Sequence, residues 1–145
     1  MARPTPEQLV ELWNLRTMPT ENVRFLQSYV DDKIGPDGKP LCSAIVALLV
    51  DDPSVFSDMH RLPTDEIWHF YLGDPIELLL LYPDGSDELV ILGHDVLAGQ
   101  RVQTVVAAGV YMARACGQVA SSRSTATRWP QASSSTTSRP PARRS

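Results

Sequence analysis

The feature that most constrains this chain is a succession of short, strand-sized apolar runs, each closed by a cluster of Gly, Pro and Asp. Cys42–Val50 ends at Asp51-Asp52-Pro53, and Asp65–Leu72 ends at Gly73-Asp74-Pro75. Ile76–Tyr82 ends at Pro83-Asp84-Gly85-Ser86, Glu88–Leu92 at Gly93, and Arg101–Ala107 at Gly109. Runs of this length with turn formers between them indicate an all-β sandwich or barrel. No interval between them holds a helix long enough for a parallel crossover, and no fixed period argues for a solenoid or propeller. Upstream, Thr5-Pro6-Glu7 reads as a helix start, with Thr5 as N-cap and Pro6 in the first turn. That helix should end near Asn14–Arg16. Arg24–Tyr29 reads as a short strand, and Asp31–Pro40 as an exposed hairpin loop.

Charge divides the chain in two. All 17 acidic residues and 8 of the 13 Lys and Arg lie in residues 1–114, giving that part 8 − 17 = −9, whereas residues 115–145 carry five Arg and no acid, so +5. The second part is mostly Ser, Thr, Ala, Pro and Arg, with one aromatic, Trp129, and no Leu, Ile or Phe. It lacks the apolar surface that offsets ordering entropy and is expected to be a disordered tail on a domain spanning residues 1–114. The acidic domain argues against nucleic acid as its partner. No apolar run is long enough to span a bilayer, and no signal-type apolar stretch follows the N-terminus, so a cytoplasmic protein is expected. Cys42 and Cys116 are too few for a disulfide framework and lack metal-site spacing.

The densest polar and aromatic cluster runs from His60 to Gly73. Side chains alternate along a strand, so Glu66, Trp68, Phe70 and Leu72 should share one face and Ile67, His69 and Tyr71 the other. A carboxylate between aromatics on an inner face is partly desolvated, which suits a general acid or a ligand-orienting group. His60 lies one turn away from Glu66 and can converge with it. Each residue also has a plainer alternative role: Glu66 as a turn cap or an ion-pair partner of Arg61 or Arg101, His69 as an outer-face residue or a subunit contact, and Trp68 and Phe70 as core. One His and one Glu are fewer than the three protein ligands of a catalytic zinc. Phosphate-binding glycine loops, nucleophile elbows and Cys–His signatures are absent from the sequence.

The stretch His60-Arg61-Leu62-Pro63-Thr64-Asp65-Glu66-Ile67-Trp68-His69-Phe70-Tyr71-Leu72-Gly73-Asp74-Pro75 resembles a signature of the cupin superfamily, in its family called domain of unknown function 985 or cupin-5. Leu92-Gly93-His94-Asp95 and Gly99 to Tyr111 resemble the second block of that family. The resemblance implies a double-stranded β-helix (jelly-roll) barrel, often dimeric, with a small-molecule pocket. Some cupins are sugar-nucleotide epimerases or isomerases, and the resemblance extends that expectation to His60, Glu66, His69 and Tyr71 as proton carriers. Trp68, Phe70 and Tyr111 would stack on a ligand, with Glu66 and Gln103 orienting it. The alternative is a binding module without catalysis. In the general cupin metal motif, Leu62 stands where a second His would fall and Met112 near a fourth ligand. No cofactor is therefore expected, beyond a weakly held divalent metal.

The tail departs from the family pattern, which expects a motif like Ala-Pro-Gly-Phe-Glu-Phe near the C-terminus. Residues Arg128-Trp129-Pro130-Gln131-Ala132-Ser133-Ser134-Ser135-Thr136-Thr137-Ser138-Arg139 can be written in codons which, read from the third base of the first, give Met-Ala-Pro-Gly-Phe-Glu-Phe-Asp-Asp-Phe-Glu. The last thirty or so residues therefore read as an out-of-frame translation, and the chain as written is expected to lack its last strands, leaving sheet edges open. An inactive, frameshifted relic is the third functional expectation.

Overall fold

The computed structural model describes residues 2–52 and 58–114, together with the backbone of 131–138. One short helix, α1 (Pro6–Leu12), precedes ten strands: β1 (Arg16–Thr17), β2 (Arg24–Val30), β3 (Cys42–Leu49), β4 (His60–Arg61), β5 (Asp65–Leu72), β6 (Ile76–Leu81), β7 (Asp87–Leu92), β8 (Gln103–Val106), β9 (Tyr111–Arg114) and β10 (Gln131–Ser138). They form a six-stranded sheet, β1-β2-β3-β10-β5-β8, and a four-stranded sheet, β4-β9-β6-β7. Every paired strand runs antiparallel. This is the all-β cupin barrel architecture expected from the strand-and-turn pattern.

The helix begins as its sequence directs. The Thr5 hydroxyl accepts from the Gln8 amide, while the Gln8 side chain accepts from the Thr5 amide, a reciprocal capping box. Leu9 and Leu15 then pack on Leu48, with Leu72 alongside, so α1 covers one end of the outer face of the six-stranded sheet. The main core lies between the sheets. Ala47, Leu49, Phe70 and Val106 from one sheet meet Ile76, Leu78, Leu80, Val90, Leu92 and Met112 from the other.

The strands at 24–30, 42–49, 65–72, 76–81, 87–92 and 103–106 match the sequence expectation to within a few residues at each end. Two expectations are corrected. Gln131–Ser138, placed in a disordered tail, forms a strand between β3 and β5, so the facing edges of those two strands are paired along it. A ladder is made by backbone groups that every non-Pro residue carries, and 131–138 contains no Pro, so a polar composition does not prevent it. The rest of that tail lies outside the described residues. Leu72 also leaves the face of Phe70. The β5–β10 register shifts where Ala132 faces Leu72 and Ser133 faces Phe70, so Tyr71 is an extra residue that turns Leu72 outward to α1.

One side of the barrel is closed by Arg101. Its amide donates to the Ile91 carbonyl and its carbonyl accepts from Gly93, beside β7. Its guanidinium donates to Glu88 Oε1 at 2.7 Å, and the Tyr82 hydroxyl donates to Glu88 Oε2 at 2.7 Å. These bonds hold the Glu88 carboxyl below its ordinary range, the Tyr82 bond first and Arg101 second. The Tyr82 hydroxyl is raised, first by its bond to Glu88 and then by burial. A carboxyl lowered in the folded state stabilises it above the unfolded value, and that contribution is lost as pH falls through the folded value. The raised tyrosine acts oppositely: its contribution is lost as pH rises past the ordinary value of 10.0. Glu88→Gln should therefore cost roughly 1 kcal/mol at neutral pH and flatten the acid limb of the stability profile. Denaturant melts across the acid range check this, and an unchanged acid limb contradicts the brace.

Candidate functional site

Strand register sorts the predicted residues. Across the six-stranded sheet, Ser43, position 137, Glu66 and Val106 form one row of neighbours. The next row is Ile45, position 135, Trp68 and Thr104, and the next holds Ala47, position 133 and Phe70. Val106 and Phe70 are core residues, which places all three rows on the inner face. Glu66 and Thr104 are the two buried polar residues of the described chain, 7% and 8% exposed. The Trp68 indole packs against the core, and its Nε1 atom is buried with no hydrogen-bond partner.

On the facing sheet, His60 is paired with Met112, which is buried at 1% exposure. Its Nδ1 lies 2.7 Å from the Asp58 carbonyl. A carbonyl only accepts, so Nδ1 carries a proton and donates, and in the neutral tautomer Nε2 is the acceptor.

The remaining predicted residues lie elsewhere. His69 Nδ1 accepts from the Gln103 amide at 3.1 Å, and the His69 and Tyr71 rings stack at 6.3 Å with 8° between planes. Gln103 and Tyr71 are exposed, so this trio stands on the outer face, away from Glu66. Tyr111 is also exposed and carries the Arg61 guanidinium 5.1 Å over its ring. The structure thus brings Glu66, Trp68 and Phe70 onto the inner face and His60 into an inward column of the facing sheet. It does not bring His69, Tyr71, Gln103 or Tyr111 to them. Arg101 is held by Glu88 and Arg61 stacks on Tyr111, where the sequence had offered both as partners for Glu66.

Thr104 is the residue that sequence reading missed. Its signal was the same alternation along Gln103-Thr104-Val105-Val106, which puts Thr104, and not Gln103, beside Trp68.

Other parts of the signature serve the scaffold. Asp65 Oδ1 accepts from the Ala108 amide at 2.8 Å, and the Gly109 amide donates to the Leu62 carbonyl at 2.9 Å. These two bonds lock the β4–β5 turn onto the β8–β9 turn. Gly109 and Gly73 take φ of +84° and +105°, where a side chain is strained. A Cβ at Gly93 would collide with the Gln100 amide oxygen that caps Asp95.

This barrel with a polar interior end is a cupin. The chain belongs to the Cupin_5 family, described as cupin superfamily (DUF985), whose sequence model matches residues 7–125. Similar solved structures include a structural-genomics target from Shewanella oneidensis, at TM-score 0.78 and 23% identity, covering 94% of this chain and 79% of that one. A hypothetical protein from Leishmania major is similar at TM-score 0.76 and 21% identity, over 93% of this chain and 81% of the other. An Fe(II) form of the protein HppE shares the fold at TM-score 0.51 and 10% identity, over 85% of this chain and 54% of that one. A search of curated proteins gave no match. Among the described residues no helix is long and apolar enough to cross a membrane.

A metal is the group that cupin relatives of the Fe(II) kind suggest. The residues here do not fit one. Met112, a thioether poorly matched to a hard divalent ion, is the direct neighbour of His60, and Leu62 is packed against the core. Among the described residues no three His, Cys, Asp or Glu side chains form a metal-holding group.

Trp68 offers a stability test. Removing a buried donor that has no partner offsets much of the packing it loses, so Trp68→Phe should stay within about 1 kcal/mol of the parent. Phe70→Ala, two residues along, should cost about 3–5 kcal/mol as a core cavity. Equal, large losses in urea unfolding would mean that Trp68 is ordinary core.

Proposed function

We propose that the barrel interior between Glu66, Trp68, Thr104 and His60 binds a small organic molecule. The observation that carries this reading is the buried, unpartnered Trp68 Nε1, since buried donors in native proteins are nearly always satisfied. It lies one row from a buried carboxylate on the same strand, an apolar wall with a few convergent polar groups. The chemistry of the pair extends the reading to an isomerase- or epimerase-like reaction. His60 Nε2, free to accept, would remove a proton next to a carbonyl, and the Glu66 carboxyl would return one. The dispersal of His69, Tyr71 and Tyr111 confines that reading to His60 and Glu66.

The test is native mass spectrometry of the purified chain, followed by incubation of any co-purifying molecule with the protein in D2O. A bound molecule lost from Trp68→Ala supports the site, and identical content in both proteins overturns it. Deuterium incorporation that disappears in Glu66→Gln supports proton transfer. Binding without incorporation leaves a non-catalytic binding module.

A second reading, that this chain is the frameshifted relic of such a protein, is favoured by the register of β10. Positions 133 and 135 stand in the inner-face rows of Phe70 and Trp68. The shifted reading puts phenylalanine at both, with acidic residues at 134 and 136, the alternation of a strand with one buried face. The written residues there are Ser133 and Ser135. Resequencing the gene decides the point. Codons for 128–139 that yield the shifted motif, and a frame-restored protein that melts well above the 145-residue chain, support it. Codons that cannot yield it overturn it.

A further inference from the structure

The donors of the interior say which group a ligand must present, on the reading above that the interior binds a small molecule. We propose that this ligand carries a neutral carbonyl, whose oxygen accepts from both the Trp68 indole N–H and the Thr104 hydroxyl.

Trp68 and Thr104 are directly opposed residues of β5 and β8, in the middle of the three inner-face rows. Side chains of opposed residues start about 4.5–5.5 Å apart, so the two polar ends belong to one patch of the lining. Trp68 Nε1 is buried with no hydrogen-bond partner. Thr104 is 8% exposed, and among the described residues its hydroxyl has no hydrogen-bond partner either. Buried polar groups in native proteins are nearly always paired. Two unpaired ones on facing residues ask for a single acceptor that serves both.

Side-chain chemistry selects that acceptor. An indole N–H only donates, so whatever meets Trp68 must offer a lone pair. The threonine hydroxyl has one proton to give and can turn it toward a partner. A carbonyl oxygen has two lone pairs and no proton, so it takes both hydrogen bonds at once. A ligand hydroxyl brings a third proton, and one donor of the three is left without an acceptor. An ammonium offers no lone pair at all. A carboxylate has lone pairs to spare, but its desolvation costs far more than that of a neutral oxygen, and two uncharged donors offset less of it. The surroundings suit the rest of such a molecule. Ile45 stands in the same row, and Val106 and Phe70 in the rows on either side, so the donors are set in an apolar wall.

Three probes of nearly one shape separate the acceptor types: acetophenone, 1-phenylethanol and benzoate. The readout is the Trp68 indole N–H resonance, assigned by its loss in Trp68→Phe. Acetophenone should move it downfield, saturably, and bind about three- to tenfold tighter than the alcohol. Thr104→Val should weaken acetophenone by a similar factor and close the gap to the alcohol, and Thr104→Ser should restore it. Alcohol or benzoate binding as tightly as the ketone to the unaltered chain overturns the carbonyl assignment and leaves the interior site standing. Unchanged ketone affinity in Thr104→Val overturns the shared acceptor. No movement with any probe overturns the site itself. The comparison among probes is made on the unaltered chain and does not depend on a variant folding.

Discussion

A carboxylate inside an apolar sandwich is the constraint around which this fold is arranged. Glu66 stands on the inner face of β5, and an ionised group there is costly unless charge or hydrogen bonds face it. Glu66 sits in the row of Ser43, at the start of β3, while the apolar core of Phe70, Leu78 and Leu92 fills the space further along. The chain thereby sets the densely packed part of the interior and the row of Glu66 at different positions along the strands. The packed part, through Phe70, Leu78 and Leu92, supplies the stability.

The signature between His60 and Pro75 divides along the same line. Arg61, Asp65 and Gly73 have structural duties that the geometry accounts for: a cation over Tyr111, a cap on Ala108, and a left-handed turn. Trp68 differs from these, since its ring packs on the core while its Nε1 has no hydrogen-bond partner. An unpartnered indole N–H does not improve a core, since native interiors leave few such groups unpaired.

Much of this was legible in the sequence, and the exceptions have physical causes. Period-two alternation put Glu66, Trp68 and Phe70 on one face and His69 and Tyr71 on the other. It failed at Leu72, because a bulge at Tyr71 leaves no mark in the residues themselves. The Tyr82–Glu88–Arg101 brace was not legible, since Arg101 is brought to Glu88 by the return of the chain after β7. The two-residue strands β1 and β4 are shorter than any periodicity can reveal. Strand β10 escaped for a different reason: its pairing rests on backbone groups, which composition does not report. The family resemblance rested on the whole block from His60 to Pro75, and within it the fold explains the capping residue Asp65 and the turn residue Gly73 most completely.

The account stands most directly on what lies against the Trp68 indole. A crystallographic electron-density map of the protein purified without denaturation shows this. The account predicts a non-protein acceptor, an organic molecule or the water that accompanies it, within hydrogen-bond distance of Nε1 and beside Glu66. A protein carbonyl or side chain bonded to Nε1, with the interior filled by protein, contradicts it.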